Sequence, residues 1–350
     1  MRSLILILAV LSMSCRYTAS ENETKTDCLV CERIDLFKKS KVHVSDRIWK
    51  GLNVGSRTLP LLYFTDSSTY IAFGKEELFA NYKFETLECN NELSLMKLKR
   101  IDEQPFHMEN KMSFSDTASL YFNQPMMLCS DVETMNRFVP DFDKTEDWLQ
   151  LVMHEYFHSF QFSHSATINY LAETIQMSAD TLNKIYLGNE WFKKALETEN
   201  LALLKAIGST TKDSLEVYVD EFLQARESRR MKYKEYSEFD LSTMENFWET
   251  IEGPARYVEY CMAGDFNQIT MEKTIQCDSL FNNFDDYKGQ LNFEAKPEFQ
   301  ERIKIMQAYY YVTGFNMCRL MDKMGIDYKQ NLFSNPTEGL YKIFVRNTSR

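Results

Sequence analysis

Three of the five histidines lie in the eleven-residue segment 154–164, and their spacing suits a bound metal ion. His154 and His158 are four positions apart, so on an α-helix their side chains project about 40° apart around the axis and can reach one ion. Glu155 follows the first histidine and could accept a proton from a water molecule at that ion. This HExxH pattern predicts that His154 and His158 are metal ligands and that Glu155 is a general base.

The residues around the pattern predict the helix that this geometry requires. Thr145, Glu146 and Asp147 place a hydroxyl and two acidic groups in the first turn, where they favour helix initiation. Apolar side chains then recur with helical periodicity and define one buried face: Leu149, Val152, Met153, Tyr156 and Phe160. The two histidines are expected on a neighbouring strip of the same helix.

A catalytic zinc site needs a third protein ligand and leaves a further position open to water, and the sequence offers two candidates. The first is His164, which extends the pattern to HExxHxxQxxH. This resembles the metzincin pattern HExxHxxGxxH, with Gln161 in the place of the glycine that ends the helix. If the helix continues instead, His164 lies about 240° around the axis from His158 and points away.

The second candidate is Glu252, on a helix predicted from a capping box at 242–245 to Gly264, with a kink around residue 250 caused by Pro254. Its apolar stripe comprises Phe247, Ile251, Ala255, Val258 and Met262. Glu252 lies one residue off this stripe, where a carboxylate requires a cation or hydrogen-bond donors. Glu259 is expected on the same face and could hydrogen-bond a ligating histidine. The alternative is an ion pair between Glu252 and Arg256.

Segment 248–259 resembles the W-x-x-x-E-G-x-A-x-Y signature of peptidase MA-like, gluzincin-type zinc metallopeptidases, and the resemblance extends over about residues 60–265. It implies a zincin-like fold, Zn²⁺ held by His154, His158 and Glu252, and hydrolysis of a peptide or protein substrate with Glu155 as general base. The chain departs from many gluzincins at Arg256, where they carry an aspartate that orients a histidine. The interval between His158 and Glu252 is also longer than in thermolysin-like enzymes.

Two alternative functions follow from the same residues. One is a metzincin-like peptidase that uses His164 as third ligand. The other is a non-catalytic, zinc-containing surface lipoprotein that binds protein or glycan, although a purely structural site does not require Glu155. An enzyme also needs a donor for the developing oxyanion, for which Tyr257 and His107 are candidates. The aromatic run 309–311 is interpreted as part of the core.

The N-terminus predicts export. A basic start and an apolar run at 4–11, too short to span a bilayer, give a signal peptide at 1–20. Cleavage before Cys15 and acylation of its thiol would produce a bacterial cell-envelope lipoprotein of the periplasm or outer membrane, whereas cleavage near Ala19 would give a secreted protein. Residues 21–44 are expected to form a polar linker. Cys28 and Cys31 are interpreted as a local disulfide or as free thiols, since the scattered cysteines suggest no disulfide framework.

Composition limits the remaining function classes and the fold. The 350-residue chain has a net charge of −11, which excludes the basic surface that nucleic acid requires. Membrane association is expected only through a lipid anchor at Cys15. The sequence predicts an α+β fold in which a strand-rich part at 45–140 is followed by a helical part at 141–350 that carries the metal site. Strands are predicted at 59–64, 70–74, 83–87, 94–98 and 119–122, and further helices at 190–207, 213–235, 297–324 and 337–345.

Overall fold

The computed structural model describes residues 2–52, 59–140, 142–174, 179–269, 275–284 and 308–348, except for the side chains of 2–23, 173 and 174. The chain forms two compact units. Unit 1 comprises Met1–His43, Thr58–Val152 and Phe266–Tyr287, and unit 2 comprises Val44–Arg57, Met153–Asp265 and Lys288–Arg350. The fold class is α+β, as predicted, with a sheet in the N-terminal part and a mostly helical C-terminal part. The units differ from the predicted division at residue 140, because each is assembled from separate segments.

Unit 1 contains a six-stranded sheet with the order β3-β4-β2-β1-β6-β5. Its strands are β1 (Leu61–Phe64), β2 (Ser68–Ala72), β3 (Phe84–Asn90), β4 (Leu93–Lys99), β5 (Met108–Lys111) and β6 (Met126–Ser130). All neighbouring strands are antiparallel except β1 and β6, which pair in parallel. Unit 1 also contains the short helix α2 (Val132–Phe138), whose first turn is capped by the Asp131 side chain.

The predicted strands are confirmed in four of five places. The hairpin of β1 and β2 and the strands β3 and β4 lie where the sequence indicated them. The prediction at 119–122 was wrong, because this segment contributes only an isolated bridge from Phe122 to Ser113. Strands β5 and β6 were not predicted: β5 carries a single apolar residue, and β6 is a short strand whose five residues are all buried.

The structure differs from the linker predicted at 21–44. These residues belong to helix α1 (Arg2–Arg47), and Val30, Ile34 and Phe37 are buried at helical spacing. The buried Arg33 guanidinium binds the carboxylates of Glu133 and Asp278 within unit 1. The many charged residues of this segment suggested solvent exposure, but several of them form such pairs.

Two disulfides attach α1 to other parts of unit 1. Cys28 is bonded to Cys277, and Cys31 to Cys89 in β3, so the expectation of a local disulfide or free thiols was wrong. Sequence spacing could not show these pairs, because the bonded cysteines are 249 and 58 residues apart. The predicted signal peptide and Cys15 fall outside the residues whose side chains are described. Within the described residues, no helix combines the length and the apolar character needed to cross a bilayer.

Unit 2 is helical. Helix α3 (Thr145–Phe162) begins in unit 1 and ends in unit 2. The remaining helices are α4 (Ser165–Thr174), α5 (Ala179–Gly188), α6 (Glu190–Gly208), α7 (Lys212–Lys234), α8 (Leu241–Gly264), α9 (Tyr309–Lys323) and α10 (Gly339–Thr348). The predicted extent of α8 to Gly264 is confirmed, with Pro254 inside the helix, but the helix begins one residue earlier than predicted: Asp240 accepts a hydrogen bond from the Thr243 amide and caps it. Of the helix predicted at 297–324, residues 297–307 lie outside the described residues.

An ionic network inside unit 2 fixes α8 against its neighbours. Three arginines of α7 and three glutamates, one from α6 and two from α8, are buried and paired: Arg226, Arg229, Arg230, Glu199, Glu245 and Glu249. Glu245 also accepts a hydrogen bond from Tyr309 of α9. The three positive and three negative side chains are paired with one another, and their hydrogen bonds connect α8 to α6 and α7. The helix that carries Glu252 is therefore held in a defined position.

Helices α8 and α9 approach each other closely at two glycines. A Cβ atom on Gly253 would lie 2.5 Å from the Gly314 carbonyl carbon, and one on Gly314 would lie 2.6 Å from the Glu249 carbonyl oxygen. Both distances are well below van der Waals contact, and the obstructing atoms are backbone. The glycine of the EGxAxY segment is therefore required for packing directly beside Glu252.

Gly253→Ala is expected to lower the melting temperature of the protein. Overpacking of a tight core typically costs about 1–3 kcal/mol, and backbone cannot move aside as a flexible side chain can. In a unit of this size each 1 kcal/mol corresponds to roughly 2–4 °C. Gly264→Ala is the matched control, since it lies on the same helix and its Cβ would meet no atom within 4 Å. Equal melting temperatures for the two variants in thermal unfolding would contradict the close approach.

Candidate metal centre

Helix α3 presents the two histidines of the HExxH pattern side by side. The apolar face predicted for this helix is buried, including Leu149, Met153 and Tyr156. His154 and His158, one turn apart, are only 6% and 7% exposed, and their ring centroids are 4.7 Å apart. Burial of the apolar face thus fixes the rotation of the helix and directs both imidazoles to the same place in unit 2.

The Glu252 carboxylate of α8 lies next to the two imidazoles. The Nε2 atoms of His154 and His158 are 3.1 Å apart, and Glu252 Oε2 lies 3.5 Å from the first and 3.2 Å from the second. Tetrahedral zinc with bonds of about 2.0–2.1 Å needs donor atoms about 3.3–3.4 Å apart. The three distances are close to this value on every side of the triangle, so the donor set fits a zinc ion.

The outer nitrogen of each histidine is held by a hydrogen-bond acceptor. His154 Nδ1 donates to Glu259 Oε2 over 3.2 Å, and Arg256 holds the other oxygen of Glu259 at 2.6 Å. His158 Nδ1 donates to Gln161 Oε1 over 2.7 Å. When the imidazoles are neutral, as metal ligands must be, these bonds select the tautomers in which both Nε2 atoms carry the lone pair.

Three electron-rich atoms in one place require positive charge among them. Glu252 Oε2 is buried, and among the described residues no donor gives it a well-formed hydrogen bond. Burial alone would lower the pKa of His154, but the carboxylates of Glu252 and Glu259 outweigh this effect and raise it to about 9. Burial would raise the pKa of Glu252, but His158 and His154 hold it well below its usual range. The centre therefore attracts cations, and a metal ion bound here must displace a proton.

Glu155 lies beside this centre and remains partly exposed to solvent. A carboxylate oxygen of Glu155 and one ring nitrogen from each of His154 and His158 lie within 4.8 Å of one another. Its position next to the first histidine gives it access both to the centre and to water. A carboxylate that can accept a proton therefore lies beside the histidine pair.

The structure separates the two candidates for the third ligand. Glu252 lies against both histidines, whereas His164 Nδ1 donates to the carbonyl oxygen of Phe160 at the end of α3. The His164 ring also packs against Phe160 and Phe333. Arg256, considered as an ion-pair partner of Glu252, instead contacts Glu259. The residue that departs from the gluzincin pattern thus supports the carboxylate that orients His154.

A tyrosine assigned to the core from the sequence contributes to the site. The ring of Tyr311 on α9 is nearly parallel to that of His154, with the ring centroids 6.0 Å apart, and Tyr311 lies close enough to Glu252 to be influenced by its charge. Burial and the charge of Glu252 raise the pKa of Tyr311, so it remains a proton donor. The oxyanion candidates named from the sequence are engaged differently: Tyr257 donates to Asp322, and His107 in unit 1 contacts Asp102 at 2.9 Å. Nothing in the sequence near Tyr311 indicated that it lies beside His154 and Glu252.

A second group of metal-binding residue types lies in unit 1 but serves another purpose. Cys28, Glu32 and Cys277 are close together, yet the two sulfurs form a disulfide and are not available as thiolates. Glu32 accepts hydrogen bonds from the backbone amides of Gln276, Cys277 and Asp278. This group therefore anchors the segment around Cys277 to α1.

Comparisons with protein-family models, with curated protein sequences and with solved structures find no match to this chain.

Proposed function

We propose that this protein is a zinc metallopeptidase with a zincin-like catalytic arrangement. The observation that carries the proposal is the triangle of His154 Nε2, His158 Nε2 and Glu252 Oε2, with sides of 3.1–3.5 Å, beside the Glu155 carboxylate. Two neutral imidazoles and one carboxylate are a donor set typical of catalytic zinc. His154, His158 and Glu252 would hold the ion.

Each residue has a separate task in peptide hydrolysis. Zinc bound at this centre would supply Lewis acidity, lowering the pKa of a water molecule and polarising the scissile carbonyl. Glu155 accepts the proton of the attacking water and transfers it to the leaving amine. Tyr311 has a hydroxyl at the site that can donate to the developing oxyanion. Glu259 and Gln161 keep the imidazoles in the tautomers that expose Nε2.

The two disulfides support action outside the cytosol. Cys28–Cys277 and Cys31–Cys89 would not persist among cytosolic reductants. We therefore propose that the chain functions after export, on peptide or protein substrates in an oxidising compartment.

The proposal is tested by incubating the purified full-length protein with a peptide pool, with and without a zinc chelator. We expect hydrolysis that stops with the chelator and returns when zinc is added, because the donor set loses the ion on which the reaction depends. Mass spectrometry of the pool reports the cleaved bonds. Zinc-loaded protein that cleaves none of the peptides would favour the non-catalytic binding protein, and cleavage unaffected by the chelator would exclude a metal mechanism.

A further inference from the structure

Gln161 connects the two helices that carry the metal ligands. It lies on α3, three residues after His158, and its side chain is completely buried. Its Oε1 atom accepts from His158 Nδ1 over 2.7 Å, and its Nε2 atom donates to the Ile251 carbonyl oxygen of α8 over 2.8 Å. One amide thus contacts a ligand on the first helix and the residue preceding the ligand on the second.

The orientation of this amide follows from its partners. A carbonyl oxygen can only accept, so the Ile251 contact requires the NH₂ group of Gln161. The oxygen of Gln161 must then face His158, which forces Nδ1 of that imidazole to carry the hydrogen. In the neutral imidazole the lone pair of His158 is then on Nε2, the atom that faces His154 and Glu252.

The contact on α8 lies beside a carbonyl that lacks its helical hydrogen bond. Pro254 has no amide hydrogen and removes the helical hydrogen bond that the Thr250 carbonyl would accept. Gln161 supplies a side-chain donor to the next carbonyl, that of Ile251. The turn that carries Glu252 is thereby tied to α3 although its own backbone hydrogen bonding is reduced.

We propose that Gln161 is a positioning residue that sets the tautomer of His158 and holds the Glu252 turn at the distance needed for a shared metal ion. This inference rests on the proposed function and deepens it. It also explains why glutamine occupies the position at which the metzincin pattern has glycine: here α3 continues through residue 161 to Phe162, and the side chain is used for a hydrogen bond between helices.

The test compares Gln161→Met, which has similar volume but neither donor nor acceptor, with Asn200→Leu. Asn200 is a matched control, since it is a buried amide of the same unit that accepts from Asn316. We expect Gln161→Met to weaken zinc binding about 10- to 100-fold, measured by competition with a chromophoric chelator, and Asn200→Leu to leave it unchanged. Zinc affinities that agree within twofold for the two variants would overturn the proposal.

A second readout does not depend on zinc. In ¹⁵N-labelled full-length protein, the Nδ1–H proton of His158 is expected as a slowly exchanging NMR signal, assigned by its loss in His158→Asn. The signal should disappear or exchange rapidly in Gln161→Met and return in Gln161→Glu, which keeps the accepting oxygen. Its persistence in Gln161→Met, or its absence from folded Gln161→Glu, would contradict the role of Gln161. Wild-type protein that shows this signal but binds no zinc would instead refute the proposed function.

Discussion

Glu155→Gln is expected to lower kcat for peptide hydrolysis by about 10²- to 10⁴-fold while zinc remains bound, because the loss of a general base typically has this magnitude. The substitution keeps the size and polarity of the side chain but removes its ability to accept a proton. The imidazoles of His154 and His158 and the Glu252 carboxylate are untouched, so the donor triangle is preserved. The measurement pairs steady-state kinetics on a cleaved peptide with the zinc content of the same sample.

The control for this variant is Glu190→Gln. It makes the same chemical change on an exposed residue of α6 whose partner is Lys193, and it should leave both kcat and bound zinc unaltered. Full activity in Glu155→Gln would show that Glu155 takes no part in the reaction. Loss of zinc together with activity would mean that Glu155 is a ligand instead of the base.

The second large effect is expected for Glu252→Ala. Removing one of three protein ligands should weaken zinc binding more than the loss of an orienting residue does, and therefore by more than roughly 100-fold. Two imidazoles of one helix remain, but the negative charge that compensates the cation at the centre is lost. Equilibrium dialysis against buffered zinc gives the change in affinity directly.

His164→Ala provides the decisive comparison. The His164 ring is engaged at the end of α3 with the Phe160 carbonyl, and its removal should leave zinc affinity within a factor of about 2 to 3. The opposite pattern, with zinc lost in His164→Ala and retained in Glu252→Ala, would replace the gluzincin-type ligand set with the metzincin-like one.

The sequence predicts those features of the site that depend on local periodicity. Helix α3 and the apolar stripe of α8 follow from the spacing of their apolar residues, and both are confirmed. Because an i,i+4 pair on a helix shares a face, the proximity of His154 and His158 was also readable. The expectation that Glu259 would lie near a histidine follows from the same periodicity, since residues 252 and 259 are two turns apart.

Contacts between distant segments were not predictable in this way. From the sequence, Gln161 was noted only as the residue in the place of the metzincin glycine. Nothing in the local sequence indicates that its amide reaches Ile251, 90 residues away. Tyr311 belongs to the aromatic run 309–311, and from the sequence such a run is as consistent with core packing as with a place beside the histidines. Residues 21–44 were mistaken for a linker because buried ion pairs such as that of Arg33 make a sequence appear solvent-exposed.

Zinc K-edge X-ray absorption spectroscopy of the zinc-loaded wild-type protein identifies the atoms that surround the metal. We expect one zinc ion per chain, with two imidazole nitrogens and carboxylate oxygen at about 2.0–2.2 Å and no sulfur. Glu252→Ala should alter the oxygen contribution, and His164→Ala should leave the spectrum unchanged. Sulfur ligation, three imidazoles, or zinc bound without defined stoichiometry would contradict a centre built from His154, His158 and Glu252.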